Sequence, residues 1–154
     1  MRSVRTRHEK RCLADELVEG GMYRRARQIY SQLLRQTPDD PHLLALRGYT
    51  SYRIGDLVSA VVDFNDALAL QDDAPNTLFL RAKCKELLND LDAAIADYRR
   101  VLSLAPDTAD AHAAIAMICE YRGDFPAARR EHSEALRLDS GTVSSKRFFE
   151  KYGS

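Results

Sequence analysis

The sequence predicts an all-α fold, four helical hairpins stacked as a solenoid and closed by one further helix. Three observations lead there. The 154-residue chain matches itself at a shift of 34 residues with no insertion. Within each unit, apolar and small residues recur at the three-to-four-residue spacing of a helix face. Glycine, asparagine, aspartate and proline punctuate the units at fixed places, where helices stop and start.

Set in register, the units run 7–40, 41–74, 75–108 and 109–142. One column holds Ala26, Ala60, Ala94 and Ala128, and another Leu34, Leu68, Leu102 and Leu136. A third is small throughout: Ala14, Gly48, Ala82 and Ala116. A fourth bears rings: Tyr30, Phe64, Tyr98 and His132. The small column and the alanine column fall where the two helices of a hairpin cross. A larger side chain there would push the backbones apart, and overpacking costs roughly 1–3 kcal/mol per site. The rings fill the space beside that contact.

The turns follow from the same register. Gly21, Gly55 and Gly123 share a column with Asn89, residues that tolerate the left-handed backbone ending a helix. Asp56, Asp90 and Asp124 come next, placed to cap the second helix. Pro126 lies in a first helical turn, and Pro41 and Pro75 begin first helices, where a missing N–H is tolerated. Pro38 and Pro106 share a column with Asp72 and Ser140 near the ends of the units. The spacing therefore predicts helices at 8–20, 22–35, 42–54, 57–70, 76–88, 91–104, 110–122 and 125–138, with a ninth at 143–152. The ninth is out of phase. Glu150 falls where the small residue belongs and Lys146 where an apolar one belongs, while Phe148 and Tyr152 share a face. Such a helix either caps the last repeat, whose end a solenoid must cover, or docks into a neighbouring molecule.

These columns, with the strings RGYTSYRIGDLVSAVVDFNDAL in the second unit and ICEYRGDFPAARREHSEAL in the fourth, resemble the tetratricopeptide repeat (TPR) family over residues 7–142. The resemblance implies a right-handed helical-hairpin solenoid of four TPR units. A flexible basic stretch at 1–6 precedes it and a C-terminal capping helix at 143–154 follows. It also implies that the first helix of each repeat lines a concave surface. By that reading the groove-facing candidates are Arg11 and Asp15 in the first repeat and Leu46, Tyr49, Tyr52 and Arg53 in the second. Phe79, Lys83 and Glu86 follow in the third, and Met117, Glu120 and Tyr121 in the fourth. His8, Glu19, His42, Asn76, Leu80, Asp110 and Ala113 share those faces. The middle is apolar and aromatic, which suits a peptide or helix with apolar anchors. Leu46, Leu80 and Met117 could instead complete inter-helix packing. Tyr49, Tyr52 and Phe79 are expected to lie outside the core and to serve binding.

Composition narrows the function classes. Lys plus Arg equals Asp plus Glu at 23 each, so the chain lacks the positive excess that phosphate neutralisation requires, and no nucleic-acid partner is expected. The clusters Arg24–Arg25–Arg27, Arg99–Arg100 and Arg129–Arg130, which could suggest RNA, fall on second helices, mostly outward, and are balanced by acids, so they read as a solvated face. The apolar group is 45% of residues, but no run approaches the roughly 20 needed to span a bilayer, and residues 1–20 lack the apolar stretch of a signal peptide. No membrane partner and a cytoplasmic location are the expectation. Cys12, Cys84 and Cys119 are odd in number and far apart, unlike a disulfide framework. The basic run Arg2, Arg5, Arg7, Lys10, Arg11 reads as a frayed, solvated helix start.

No catalytic or metal-binding motif emerges, so neither enzyme activity nor a cofactor is expected. His8, His42, His112 and His132 show no recognisable zinc spacing, and His132 stands in the core ring column. Cys84 and Cys119 read as buried, inert thiols. The family's chaperone-binding branch grips a C-terminal carboxylate with lysine, asparagine and arginine. The matching positions here are Arg11 and Asp15, then Leu46, then Asn76 and Leu80. One repeat later they are Ala45, Tyr49, Leu80, Asp110 and Ala114. Neither set assembles the cations and amides a carboxylate needs, so that activity is not expected.

One charged feature sits in an apolar column. Arg47 and Arg81 replace the Leu13 and Ile115 of the outer repeats, and only in these two repeats does Asp precede the ring, as Asp63 and Asp97. A charge in a packing layer is costly unless paired, so each arginine is expected to meet the aspartate of its own repeat. The sequence thus supports a non-catalytic protein-binding module. The alternative is a structural subunit of a larger assembly, ciliary or cytoskeletal for example, using its sides, ends or last helix.

Overall fold

The structure, a computed structural model, describes residues 6–153. The basic stretch expected to be flexible lies outside the described residues except for Thr6. Among them the chain forms nine helices and no strand: α1 (Arg7–Glu19), α2 (Tyr23–Leu34), α3 (Pro41–Arg53), α4 (Leu57–Leu70), α5 (Pro75–Leu87), α6 (Leu91–Leu104), α7 (Ala109–Tyr121), α8 (Phe125–Leu138) and α9 (Val143–Tyr152). Each first helix packs on the second helix of its own repeat and on the second helix of the repeat before. The chain is therefore an all-α repeat solenoid. Beyond these chain neighbours, α3 also touches α5 and α7 touches α9.

First helices start and stop one residue before the predicted bounds. Pro41 and Pro75 are themselves the first helical residues, since their fixed φ suits that position and no N–H is missed there. The expected frayed start of α1 is also corrected. Thr6 and Glu9 form a reciprocal capping box: the Glu9 N–H donates to Thr6 Oγ1 at 3.2 Å, and the Thr6 N–H to Glu9 Oε2 at 2.7 Å. Asp56, Asp90 and Asp124 cap α4, α6 and α8 as the register demanded. Asn89 holds φ 63° in the column of Gly21, Gly55 and Gly123.

The core follows the columns. Ala14, Ala82 and Ala116 meet Ala26, Ala94 and Ala128 with no exposure. Gly48 is the exception of the small column, and Phe64 explains it: a Cβ at Gly48 would lie 2.8 Å from the Phe64 ring. Tyr30 and Tyr98 are fully buried but turn their hydroxyls outward, donating to Asp15 Oδ1 at 2.6 Å and Glu86 Oε2 at 2.8 Å. Burial first, then the adjacent carboxylate, raises both phenol pKa values.

The last helix covers the end of repeat 4. Phe148 is 2% exposed, and its ring lies 4.5 Å from that of His132. Buried Ser145 is 2.9 Å from His132 Nδ1, and Tyr152 packs against Phe125 at 5.0 Å. Phe148 and Tyr152 thus both pack against repeat 4. His132 Nε2 has no hydrogen-bond partner, and Glu120 Oε2 is 3.8 Å away. Burial lowers the imidazole pKa, against the opposing pull of Glu120.

Candidate protein-binding surface

The two charged columns pair as the sequence required. Arg47 donates to Asp63 through Nε (2.9 Å) and Nη2 (2.6 Å), and Arg81 to Asp97 through the same atoms at 2.8 and 2.7 Å. Asp63 and Asp97 are buried. Repeat 3 carries more than was foreseen: Lys85 Nζ also reaches Asp97 at 2.8 Å, and Arg81 Nη1 reaches Asn65 in the preceding repeat at 2.8 Å. These bidentate contacts lock each first helix to its second helix and, through Asn65, repeat 2 to repeat 3. Arg47 stands on α3 and Arg81 on α5.

Between those helices lies a cleft of about 440 Å³. Ala45, Leu46 and Leu80 give it an apolar wall; Tyr49, His42 and Asn76 stand at its edge. Tyr49 is held in place. Arg53 donates to its hydroxyl at 2.7 Å and stacks over Tyr23 at 4.3 Å, while the Tyr23 ring meets Tyr49 edge-on at 6.3 Å. Cation–π contact and ring packing thus preset Tyr49 before any partner arrives. Tyr23 was missed in the sequence because it sits on a second helix, outside the columns read as groove-facing.

The other candidates fall in separate places. Arg11 and Asp15 pair with each other at 3.9 Å, and Arg11 borders a different cleft with Arg7 and His8. Phe79 lines a smaller cleft toward Asp110, with Lys83 Nζ 5.7 Å above its ring. Glu86, Met117 and Tyr121 share a third cleft, near the hairpin turns of repeats 3 and 4. Glu120 faces His132 and Lys151. The groove-facing candidates thus line several clefts.

Two of its aromatics also belong to the packing, which corrects the expectation that the core does not need them. Phe79 is half-buried edge-on to Tyr98 at 5.4 Å, and Tyr52 packs against the cluster around Phe64.

Cysteine and histidine chemistry is sparse. Cys84 is buried, which pushes its thiol up to about 11, and burial also raises Cys119. His8 Nε2 lies 3.6 Å from Cys12 Sγ, an i,i+4 contact on the exposed side of α1. Among the described residues no group of three or more His, Cys, Asp or Glu is placed to hold a metal. No described helix is long and apolar enough to cross a membrane.

Tetratricopeptide repeat profiles match the sequence over residues 13–76 and 75–108, together spanning the first three repeats and both charged pairs. The chain belongs to the tetratricopeptide repeat family. Solved TPR-type structures superpose on it at low identity. A MamA crystal structure is 18% identical with a TM-score of 0.85, covering 96% of this chain and 82% of that one. YrrB, described as a TPR protein with an unusual peptide-binding site, is 16% identical with a TM-score of 0.85, covering 94% and 75%. The APC/C hetero-tetramer Cut9–Hcn1 is 20% identical with a TM-score of 0.83, covering 95% of this chain and 29% of that one. At such identities the likeness is one of fold. No curated protein matches the sequence significantly. The TPR solenoid is a protein–protein interaction module, and the family is typically non-catalytic.

Proposed function

We propose that this TPR chain holds an extended peptide of a partner protein in the α3–α5 cleft, by apolar anchoring beside Tyr49. The observation that carries the reading is the preset geometry of that cleft. It has an apolar wall of Ala45, Leu46 and Leu80, hydrogen-bonding groups at His42 and Asn76, and a Tyr49 already fixed by Arg53. Concave, mostly apolar sites with few polar groups are where binding energy concentrates. YrrB, of the same fold, is described as having a peptide-binding site, which supports the class of ligand. A carboxylate clamp is not part of this reading, because Leu46, Leu80 and Asp15 stand where cations and amides would be needed.

The test is selection of peptides from a random display library on the full chain, followed by affinity measurement with Tyr49→Ala. Loss of a rigid interface aromatic should weaken selected peptides by about 1–2 kcal/mol or more. Selected peptides that bind Tyr49→Ala unchanged would place recognition elsewhere. Co-purification of a stable multi-protein complex that Tyr49→Ala leaves intact would favour the structural-subunit alternative; one neighbour of the same fold is described as a hetero-tetramer, Cut9–Hcn1.

A further inference from the structure

A polar cleft of about 660 Å³ is lined by residues of α2, α3 and α4 and shares none of them with the α3–α5 cleft. The next repeat shows how it arises, because the same elements meet there with different side chains. In repeat 3 the Arg81–Asp97 pair is joined from two sides. Asn65 Oδ1 accepts from Arg81 Nη1 at 2.8 Å, and Lys85 Nζ reaches Asp97 Oδ2 at 2.8 Å. The positions 34 residues earlier are Ser31 and Ser51, and both line the cleft beside the Arg47–Asp63 pair. Two short side chains, where the next repeat has two long ones, leave the space open.

The short residues also leave hydrogen-bonding groups unused. Arg47 gives Nε and Nη2 to Asp63, and its Nη1 has no partner among the described residues. Ser51 is 1% exposed, and its hydroxyl is likewise unbonded among them. Among the described residues the one side-chain nitrogen or oxygen both sealed from solvent and unbonded is His132 Nε2. The two groups at Arg47 and Ser51 therefore keep an opening, and the cleft is the opening they line. Arg27 and Arg35 line it too, in columns that hold Val61 and Ala69 in the next repeat. Arg27 bonds Asp56 at 2.9 Å, as Arg47 bonds Asp63, so Arg35 is the lining cation left without a counter-ion among the described residues. Asp66 supports the Arg47 charge through space but neither bonds it nor lines the cleft.

We propose that this cleft holds a carboxylate side chain of a partner protein, with one oxygen on Arg47 Nη1, where Asn65 Oδ1 sits on Arg81 in the next repeat, and the other toward Arg35. An aspartate has the shape of the Asn65 side chain with an oxygen in place of the amide nitrogen, and that second oxygen suits a guanidinium. The Ser51 hydroxyl adds a neutral donor. The site is independent of the α3–α5 reading.

The probe is a blocked peptide with one Asp among Ser and Gly residues, compared with the same peptide carrying Asn. Each is titrated into the nitrogen-15-labelled full chain, and the arginine side-chain N–H signals are followed by NMR. The Arg47 Nε signal should shift saturably with the Asp peptide, and the Asn peptide should bind roughly tenfold more weakly. Arg35→Ala should weaken the Asp peptide by a similar factor, and added salt should weaken it as well. Ser31→Asn should abolish binding, because the introduced amide can take Arg47 Nη1 as Asn65 takes that of Arg81. Its melting temperature should equal or exceed the parent's, so the loss cannot be laid to unfolding. No saturable shift at millimolar peptide, equal binding of the Asp and Asn peptides, or binding untouched by Ser31→Asn would overturn the proposal. Succinate binding more tightly than the peptide would give the cleft to a small free carboxylate, against the proposal. Binding lost in Tyr49→Ala but kept in Ser31→Asn would place the peptide in the α3–α5 cleft and also overturn it.

Discussion

Removing the buried aspartates one at a time tests the internal frame of the solenoid. Asp97 is 6% exposed and accepts three hydrogen bonds, two from Arg81 and one from Lys85. The side chains of both cations are themselves largely covered, 18% and 19% exposed. Asp97→Ala therefore strands two cations, of which only Arg81 keeps a partner, Asn65. Breaking a buried pair costs about 3–5 kcal/mol, and this variant should lie at the upper end. Asp63, 4% exposed, serves Arg47 alone, and that arginine is 29% exposed. Once freed, its head can swing into water along its stem, so Asp63→Ala should cost less, about 2–3 kcal/mol. The predicted order is thus more informative than either value. Urea unfolding followed by circular dichroism measures both. Asp63→Leu combined with Arg47→Leu should recover much of the loss, since an apolar pair strands no charge. Both alanine variants within about 1 kcal/mol of the parent would reduce these pairs to surface ion pairs. A larger loss for Asp63→Ala would refute the part assigned to Lys85.

Other outcomes follow from the same packing. Gly48→Ala should destabilise by about 1–3 kcal/mol, although alanine is the better helix former, because its methyl meets the Phe64 ring at 2.8 Å; an unchanged urea midpoint would show that the ring can yield. Phe79→Ala should lower the melting temperature as well as any peptide affinity, since its ring packs on Tyr98; calorimetry showing no shift would return it to a purely binding role. A chaperone-type peptide ending in a free carboxylate should not bind at physiological salt; saturable binding lost on amidating that carboxylate would contradict it. His132 has a folded pKa lowered by burial, so its contribution to stability is present above the unfolded value of about 6.5 and fades as pH falls through the lower folded value. His132→Tyr, placed to reach Glu120 as Tyr98 reaches Glu86, should remove that component between pH 7 and 5, read as the difference in urea midpoints.

The fold was legible because a repeat states each constraint four times. Ala26, Ala60, Ala94 and Ala128 share a column, and all four are fully buried. The charged pairs were legible for a related reason. Arg47 and Asp63 depart from the repeat together, as do Arg81 and Asp97, and a joint departure in one layer implies contact. Asn65 could not be read this way, because its column holds Ser31, Arg99 and Ser133, polar in every repeat. Lys85 does break a column, standing with Leu17, Ser51 and Cys119, but its partner Asp97 was already matched to Arg81.

The candidate surface was less legible, because the columns say which face a residue occupies and not how far its ring reaches. Tyr49, Tyr52 and Phe79 all lie on first helices. Yet Phe79 finds Tyr98 and Tyr52 finds the Phe64 cluster, while Tyr49 is fixed from outside by Arg53 and Tyr23. What separates them is the identity of the ring behind. Phe64 lies against Gly48, whereas Tyr98 tips its hydroxyl out to Glu86 and leaves its edge to Phe79. The same hydroxyl–carboxylate contacts engage Asp15 and Glu86, two residues that the columns offered to a partner. Internal bonding thus claims these two carboxylates, while His42 and Asn76 line the α3–α5 cleft.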